Sequence, residues 1–318
     1  MSGKKCLFCY QRLDNSDQDF HKKCSNKIFG NENAPLLELS LNEVENYAVN
    51  LLRGSVSLTG VQPKLSVDIE KNKNKHYRLT IVGLWGQYIL KPPHSDYPEM
   101  PEIEDLTMGM AALAGIKTAE HSLIRMKSGE LSYLSRRFDR TPVGKLHVED
   151  FAQLLEVLTE RKYSGSIERI GKYILKYSSF PGNDLINLFE LVLFCFLTGN
   201  SDMHLKNYSL IRDELDDIKL SPAYDLLSTK ILLPVDSEEY AITINGKKSN
   251  LSKNDFDKLA SNFNISKKTT MSIYRKFENA FKSWNTLIEN SFISDSTKRK
   301  YLSLIQSRFR KMDIGTIQ

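Results

Sequence analysis

Two aspartates and an asparagine near the middle of the chain have the types and order that a site for metal-bound phosphate needs. Asp202 precedes Asn207 by five residues, and Asp225 follows in the run Pro222-Ala223-Tyr224-Asp225. Phosphoryl transfer requires little covalent help, so the protein mainly supplies a group that orients the attacking hydroxyl and oxygen ligands for Mg²⁺. Carboxylate and carboxamide side chains fill both roles. The spacing therefore predicts the active site of a phosphotransferase.

The interval between these residues matches one found in protein kinases. There, a catalytic-loop aspartate precedes a metal-binding asparagine by the same interval, and a second metal-binding aspartate comes later. Between Asn207 and Asp225, the alternating segments 208–211 and 218–220 predict two short strands around a polar turn, which would return Asp225 to the metal. Asparagine and aspartate are also common in turns, so this pair alone has a purely structural alternative.

Upstream residues supply the other parts of such a site. The predicted strand Tyr88–Lys91 ends in a lysine that can hold ATP phosphates. The acidic run Glu102-Ile103-Glu104-Asp105 then opens a predicted helix that stops at Gly115. A glutamate in the first turn is placed to pair with Lys91. The alternatives are a solvated surface lysine and acidic residues that only complement the helix dipole.

The order of the parts is that of a two-lobed kinase. A Gly/Ser-rich turn over 54–64 comes first, followed by the strand lysine, the acidic helix, the basic-aromatic segment 135–140 and the Asp202 loop. No GxxxxGK[ST] motif occurs, and the turn does not match the GxGxxG of eukaryotic kinases. The sequence thus disfavours a P-loop ATPase and an ordinary eukaryotic-type kinase. Mixed strand and helix patterns before about residue 140 and helical periodicity afterwards predict an α+β fold.

At these residues the chain resembles the HipA-like serine/threonine kinases of bacterial toxin-antitoxin systems. That family carries a GxQxK loop, an ILKPP strand, an RFDR segment, a GNxDxHxKN loop and a PxYD motif. The corresponding segments here are Gly60–Lys64, Ile89–Pro93, Arg137–Arg140, Gly199–Asn207 and Pro222–Asp225. The resemblance implies a bilobal, protein-kinase-like α+β fold and a protein kinase that depends on ATP and Mg²⁺.

The same resemblance implies a role for each matched residue. Asp202 would be the catalytic base, and Asn207 and Asp225 would be the Mg²⁺ ligands. Lys91 would grip ATP, with Glu104 as its partner on the helix. The remaining nucleotide-binding residues would be the phosphate loop Thr59, Gly60, Val61, Gln62, Pro63 and Lys64, the hinge Arg136, Arg137 and Phe138, and His204, Leu205, Lys206 and Tyr224.

Self-regulation is a further implication of the resemblance. A serine in or just before the phosphate loop can be autophosphorylated, which expels the loop and blocks ATP by charge and steric conflict. Ser57 occupies the expected place, and Ser55 and Thr59 are alternative sites. This Ser-Val-Ser-Leu-Thr pattern is similar to that of the shorter HipT-type kinases. Small hydroxyl residues alternatively make a flexible turn.

Partners are also implied by the resemblance. Few residues precede Gly54, where a full-length HipA-like kinase carries a larger N-terminal subdomain. The missing part is expected as a separate small HipS-like protein, beside a HipB-like DNA-binding antitoxin. Family members suggest an aminoacyl-tRNA synthetase or another translation component as substrate. Basic residues crowd the C-terminal segment, but no motif would read bases, so DNA contact is expected only through the antitoxin.

A cluster of cysteine and histidine near the N-terminus is not explained by the kinase motifs. Cys6 and Cys9 form a CxxC pair, and His21 and Cys24 form an HxxC pair after a gap of eleven residues. Ligand type and spacing are those of a structural Cys₃His zinc site, whose four protein ligands leave no open position for catalysis. The alternative is a small reduced knuckle, or a vestigial finger that keeps its shape through its phenylalanines without metal.

The amino-acid composition indicates the class of protein and its cellular compartment. The 318 residues are 41% apolar and 26% charged, with a net charge of +5, ordinary values for a soluble protein. Four cysteines without an evident framework, and no leader-like N-terminus, predict the cytoplasm. The longest apolar run, 185–197, predicts a buried helix. We expect a knuckle over 1–35, a small lobe over 36–144 that opens on a helix from Leu36 to Ala48, and a large lobe over 145–318.

Three functions from different classes fit these observations. A protein serine/threonine kinase acting as a toxin is favoured. A kinase-fold small-molecule phosphotransferase would share Asp202, Asn207 and Asp225 but act on a sugar or antibiotic hydroxyl. A non-catalytic binding module, such as a zinc-bearing repressor component, is disfavoured because Lys91 and all three of these residues are intact. Autophosphorylation within the segment 55–59 would favour the first function over the second.

Overall fold

The computed structural model describes residues 4–15, 17–52, 63–71, 77–83, 85–142 and 144–315. The chain divides into two units, and each has its own core. Unit 1 consists of Met1–Asp105, Ala119–Phe138 and Asn290–Ile293, and unit 2 of Leu106–Thr118, Asp139–Glu289 and Ser294–Gln318. Unit 1 is built on an antiparallel sheet and unit 2 is mainly helical, so the predicted α+β class is confirmed. The three predicted domains, 1–35, 36–144 and 145–318, remain predictions.

An antiparallel sheet of five strands forms the centre of unit 1. The strands are β1 (Leu65–Lys71), β2 (Tyr77–Ile81), β3 (Tyr88–Lys91), β4 (His121–Arg125) and β5 (Leu131–Arg136), in the spatial order β2-β1-β3-β5-β4. The central strand β3 lies between β1 and β5, with Leu90 opposite Leu65 and Leu134. All three leucines are buried, and residues directly opposite each other on paired strands lie on the same face of the sheet. The register places Lys91 at the end of β3, opposite Tyr133.

The N-terminal segment packs onto this sheet in a shared hydrophobic core. Two helices, α1 (Lys22–Phe29) and α2 (Leu41–Leu52), belong to it. The buried side chains of this core include Leu7, Phe20, Ile28, Val44, Leu79, Leu90 and Leu123. Tyr88 of β3 also donates its hydroxyl to the carbonyl of Ile28 at 3.0 Å. The Cys/His segment is therefore part of unit 1.

The helix expected from Leu36 to Ala48 begins later than predicted. Leu36 and Leu37 instead form isolated β-bridges with other segments of unit 1. Ser40 and Glu43 set the start of α2, because Glu43 Oε2 accepts from Ser40 N at 2.8 Å and Ser40 Oγ accepts from Glu43 N at 3.4 Å. This reciprocal pair is a capping box, which satisfies two donors at the beginning of a helix.

The helix that carries the acidic run is α3 (Met100–Leu113). Its residues through Asp105 belong to unit 1 and the rest to unit 2. The predicted stop is confirmed: Gly115 has a φ of 75°, and its N–H donates to the carbonyl of Ala112 at 2.9 Å. Glycine adopts this left-handed conformation without the steric cost of a Cβ.

Unit 2 contains most of the helices and two small sheets. Its helices are α4 (Phe151–Leu154), α5 (Ile167–Tyr177), α6 (Pro181–Thr198), α7 (Thr229–Leu232), α8 (Lys253–Asn262), α9 (Lys267–Asn290) and α10 (Asp295–Lys311). Its strands are β6 (Arg140–Thr141), β7 (Gly144–Lys145), β8 (His147–Asp150), β9 (Ser209–Arg212) and β10 (Ile218–Leu220), with β6 paired to β7 and the others ordered β10-β9-β8. The hairpin β9-β10 confirms the two short strands predicted after Asn207.

Helix α6 is the core helix of unit 2. Among the described residues it is the one helix long and apolar enough to cross a membrane, judged by length and composition. Every residue from Leu188 to Thr198 is nevertheless buried in the protein. The neighbours of α6 include α5, α8 and α10. The prediction of a buried helix over 185–197 is therefore confirmed.

Candidate active site

Hydrogen bonds to neighbouring residues hold the loop that follows α6. Gly199 caps the helix in the left-handed conformation, with a φ of 73°. Ser201 contacts the Thr229 hydroxyl through both its N–H and its Oγ, each at 2.8 Å. Asp202 N donates to Asn200 Oδ1 at 3.1 Å. The buried helix and these bonds give Asp202 a rigid support, which a positioned catalytic group needs.

We expect Gly199→Ala to reduce the free energy of unfolding by about 2–4 kcal/mol. A Cβ at this position would lie 2.6 Å from Leu304 Cδ2 and 3.0 Å from Lys230 Cβ, and the left-handed φ adds its own cost. Chemical denaturation measures the difference. Gly182→Ala is the matched control, because a Cβ there meets nothing within 4 Å. Equal losses in the two variants would contradict the role given to Gly199.

Asp202 and Asn207 are neighbours in the structure. A 3-10 turn over Leu205–Asn207 follows Asp202, and Asn207 Nδ2 donates to the Asp202 carbonyl at 3.1 Å. Tyr163 donates its hydroxyl to Asp202 Oδ1 at 2.7 Å. Burial is the larger cause that raises the pKa of Tyr163, and this hydrogen bond raises it further, so the hydroxyl remains a donor at neutral pH. Sequence reasoning missed Tyr163, since its position carries no motif.

His204 connects the loop electrostatically to Asp225. The residue is 6% exposed, and its ring packs edge-on against that of Tyr163 with centroids 5.2 Å apart. Burial lowers the pKa of His204, whereas the carboxylates of Asp202 and Asp225 both act to raise it. Both aspartates therefore lie within electrostatic reach of one imidazole. Its Nδ1 is buried, and no hydrogen-bond partner for this atom occurs in the described part of the chain.

Asp225 stands just beyond the hairpin β9-β10 in a strained conformation. Its φ of 59° lies in the left-handed region, which costs free energy in residues other than glycine. Residues held in this conformation cluster at functional sites. The preceding Tyr224 donates to the carbonyl of Lys206 at 2.9 Å and lies 2.5 Å from the Ser209 hydroxyl. Tyr224 thus links the segment that carries Asp225 to the loop that carries Asn207.

Two other predicted residues of the loop have partners inside unit 2. Leu205 is fully buried, and its N–H donates to the carbonyl of Lys162 at 3.1 Å. Lys206 Nζ pairs with Asp150 Oδ2 at 3.0 Å. Asp150 also caps α4, so it holds the start of that helix and the lysine together. The side chains of Leu205 and Lys206 are therefore held by unit 2 itself.

Lys91 and Glu104 form a buried ion pair in unit 1. Lys91 Nζ contacts Glu104 Oε1, and the two residues are 5% and 1% exposed. The ammonium also lies 5.3 Å from the centroid of the Tyr133 ring. Charges withdrawn from water require close partners of this kind. Of the acidic residues in the first turns of α3, Glu104 is thus the one that reaches the strand lysine.

Glu102 provides a pH-dependent test of this helix. Burial raises the pKa of Glu102 to about 7 from its usual 4.5. Between these values the folded state binds more protons than the unfolded state, so the free energy of unfolding falls as pH rises. We expect Glu102→Gln to be more stable than wild type by about 3 kcal/mol at pH 8, with almost no gain at pH 4.

Denaturation curves at the two pH values check this prediction. The exposed Glu289 of α9 supplies the control, and Glu289→Gln should follow wild type at both pH values. A Glu102→Gln variant that also follows wild type at both values would show that this carboxyl is not destabilised by folding.

The predicted phosphate loop is only partly described. Thr59, Gly60, Val61 and Gln62 lie outside the described residues, as do the predicted phosphorylation sites Ser55 and Ser57. Pro63 and Lys64 directly precede β1, and Lys64 is exposed. The roles of these residues stay predictions.

The predicted hinge has two of its backbone donors already in use. Arg136 N donates to the carbonyl of Glu120 at 2.7 Å, and Arg137 N donates to the carbonyl of Gln87 at 2.8 Å. The Arg136 side chain also pairs with Glu120 at 3.1 Å. Phe138, the last residue of this stretch of unit 1, is half-buried. A purine bound at this segment would need groups other than these two N–H groups.

The Cys/His cluster is assembled in unit 1. One ligand atom from each of Cys6, Cys9, His21 and Cys24 lies within 4.8 Å of all the others. All four cysteines of the chain are free thiols. Hydrogen bonding with Cys9 lowers the pKa of Cys6 to about 4, and the same contact raises the pKa of Cys9. The fourth cysteine, Cys195, is buried in α6, where burial raises its pKa.

The part of the chain that carries the Lys91–Glu104 pair and the Asp202 loop matches a known protein family. The profile of the HipA-like C-terminal domain matches residues 56–284, which is more than half of the chain. The chain belongs to this family. The resemblance to HipA-like kinases seen in the sequence is therefore confirmed.

Relatives of the chain are named as kinases. A Sinorhizobium fredii protein named "Putative kinase Y4dM" is 36% identical over 244 residues, which are 71% of this chain and 58% of the relative. The "Serine/threonine-protein kinase toxin HipA" of Shewanella oneidensis is 27% identical over 194 residues, covering 54% of this chain and 43% of the relative. The chain thus spans about half the length of these two curated relatives.

Solved structures agree on the fold. HipA from the Shewanella oneidensis HipA, HipB and operator DNA complex has a TM-score of 0.68 at 19% identity, covering 88% of this chain and 72% of that one. The Helicobacter pylori proinflammatory kinase CtkA has a TM-score of 0.55 at 16% identity, covering 78% and 96%. At these identities the likeness concerns the fold, and it confirms the predicted kinase-like α+β fold.

Proposed function

We propose that this protein is a HipA-like serine/threonine kinase that transfers a phosphoryl group from ATP to a protein hydroxyl. The observation that carries the proposal is the Asp202 loop in a member of the HipA-like family. Asn207 bonds the Asp202 backbone, and Asp225 and Asp202 both act on the buried His204. Relatives that are named as kinases support this assignment.

The donor set fits a magnesium nucleotide. Asn207 and Asp225 offer carboxamide and carboxylate oxygens, which are the ligand types that Mg²⁺ prefers. When bound, the ion neutralises charge on the transferred phosphoryl group. Asp202 would accept the proton of the attacking hydroxyl, while the hydroxyl of Tyr163 orients its carboxylate.

The nucleotide is assigned to residues from several segments. Lys91, held by Glu104, would contact the ATP phosphates. The phosphate loop would cover them, and the segment 136–138 would approach the adenine. Under this proposal the cofactors are ATP and Mg²⁺, with a structural Zn²⁺ at the Cys/His cluster.

The proposal also covers the cellular location, the substrate and the partner proteins. We place the kinase in the cytoplasm as a toxin whose substrate is a translation component of the aminoacyl-tRNA synthetase class. A HipB-like DNA-binding antitoxin is supported by the structural likeness to a HipA from a complex with HipB and operator DNA. A small HipS-like protein is proposed as a second partner. Contact with DNA is proposed to occur only through the antitoxin.

Mass spectrometry after incubation with ATP and Mg²⁺ tests the proposal. The chain is incubated alone and with a bacterial lysate, and new phosphosites are mapped. We expect phosphate on Ser57, Ser55 or Thr59, and on a serine or threonine of a translation protein. Phosphorylation of only small-molecule hydroxyls would favour the phosphotransferase alternative, and no transfer at all would overturn the kinase assignment.

A further inference from the structure

The Cys/His cluster has the dimensions of a tetrahedral metal site. His21 Nδ1 lies 3.4 Å from Cys9 Sγ and 3.8 Å from Cys24 Sγ. With Zn–S distances of about 2.3 Å and Zn–N distances of about 2.0 Å, a tetrahedral ion places such ligand atoms roughly 3.5–3.8 Å apart. The four ligand atoms therefore need only small shifts to surround one Zn²⁺.

The outer contact of His21 fixes the nitrogen that faces the cysteines. His21 Nε2 lies 3.0 Å from the carbonyl oxygen of Arg12. A carbonyl can only accept, so Nε2 carries a proton, and in the neutral imidazole that binds metals Nδ1 then presents its lone pair to Cys9 and Cys24. Histidines that ligate metals commonly donate their other ring nitrogen to a carbonyl in this way. This contact distinguishes the cluster from a chance group of thiols.

The metal-ligand turn is tied directly to helix α3. Tyr10 directly follows the ligand Cys9, and its N–H donates to the Cys6 carbonyl at 3.0 Å. Its φ of 63° is left-handed, a conformation that is strained for tyrosine. Its hydroxyl donates to Asp105 Oδ2 at 2.6 Å, with both residues at most 3% exposed. The turn thus ends in a buried hydrogen bond to the helix.

Asp105 holds α3 from two sides. Its second oxygen, Oδ1, lies 2.6 Å from His121 Nδ1 on strand β4. Asp105 directly follows Glu104, which pairs with Lys91. Consecutive helical residues point about 100° apart, so contacts at Asp105 fix the rotation of the helix about its axis. A small rotation would carry Glu104 away from the strand lysine.

We propose that Cys6, Cys9, His21 and Cys24 bind one structural Zn²⁺, and that the zinc-bound turn positions Glu104 against Lys91 through the Tyr10–Asp105 hydrogen bond. Tyr10 is a positioning residue, since it acts on Lys91 through α3. The zinc site stands on its own geometry, whereas its effect on nucleotide binding rests on the proposed kinase function.

Metal analysis of the full chain tests the zinc site. We expect about one zinc per chain in wild type and in the control Cys195→Ser, and little in Cys9→Ser and Cys24→Ser. Should the cysteine variants fail to fold, titration of the stripped wild-type chain with Co²⁺ decides, because tetrahedral thiolate coordination gives intense visible absorption. A metal-free wild type that also shows no such absorption would overturn the proposal.

Hydrogen exchange tests the link to α3 without using kinase activity. Stripping zinc should speed exchange in α3 of wild type by about tenfold, while α8 in unit 2, the internal reference, stays unchanged. Zinc-loaded Tyr10→Phe should show the same faster exchange in α3 and keep its zinc. The exposed Tyr177 gives the control variant Tyr177→Phe. Exchange in α3 that responds to neither zinc nor Tyr10→Phe would refute the link.

ATP affinity supplies a readout that a merely stabilising role would not move. Zinc removal should weaken ATP binding by about tenfold in wild type and far less in Tyr10→Phe, because the variant has already lost the connection. Equal weakening in both would contradict transmission through Tyr10. If zinc-loaded wild type binds no ATP, the kinase assignment fails, while metal content and exchange in α3 still judge the zinc site and its link.

Discussion

Asp202→Asn is expected to reduce phosphoryl transfer by roughly a thousandfold, the size of a lost general base, and to leave the fold intact. Asparagine has nearly the same volume as aspartate. The backbone bonds to Asn200 and Asn207 do not involve the substituted side chain, and a carboxamide oxygen can still accept from Tyr163. The change therefore removes a base while the loop keeps its contacts. Single-turnover transfer from radiolabelled ATP measures the loss.

Binding and stability measurements complete this test. ATP affinity by calorimetry and the thermal midpoint should stay close to wild type, since Asp202 is assigned to the hydroxyl and not to the nucleotide. Tyr163→Phe keeps the base but removes its orienting hydroxyl, so this variant should retain more activity than Asp202→Asn. Transfer by Asp202→Asn at more than about a tenth of the wild-type rate would rule out a base at this position.

Local sequence patterns explain why much of the fold could be predicted. The hairpin β9-β10 follows from alternation around a polar turn, and the end of α3 follows from Gly115, which adopts the left-handed conformation at low cost. Each of these features depends on residues close together in the chain. The predicted start of α2 is too early because the leucines at 37, 39 and 41 suggest a helix from Leu36, whereas the cap at Ser40 sets the boundary.

Contacts between distant segments explain why other parts of the site could not be predicted. Glu102, Glu104 and Asp105 are equivalent by composition, so only the family resemblance singled out Glu104, and the rotation of α3 is what brings it to Lys91. Tyr163 precedes Asp202 by 39 residues, and nothing in its surroundings marks it. Such pairings depend on tertiary packing, which spacing does not record.

The cysteine and histidine spacing can be seen in the sequence, but the hydrogen bond that connects this cluster to α3 cannot. The CxxC and HxxC pairs predicted a cluster, and the four ligand atoms do lie together. The hydrogen bond from Tyr10 to Asp105 joins residues 95 apart in the sequence. The N-terminal motif is therefore connected to Glu104 and Lys91 only after unit 1 has folded.

Lys91→Met is expected to have the largest effect on both stability and nucleotide binding. Removing the lysine takes away the cation that pairs with the Glu104 carboxylate, which is 1% exposed, and breaking a buried ion pair typically costs about 3–5 kcal/mol. ATP binding should fall below detection, because the ammonium that we propose as the phosphate contact is gone. Denaturation curves and calorimetric titration with ATP measure the two losses.

The double variant Lys91→Met/Glu104→Gln separates these two effects. With both charges removed, stability should return to within about 1–2 kcal/mol of wild type, since neither charge of the buried pair remains. ATP binding should stay lost. The pair Lys276–Glu190 in unit 2, at 2.6 Å, gives the control Lys276→Met/Glu190→Gln, which should bind ATP as wild type does. Recovery of ATP binding together with stability would mean that Lys91 serves only to neutralise Glu104, and the nucleotide would then need another cation.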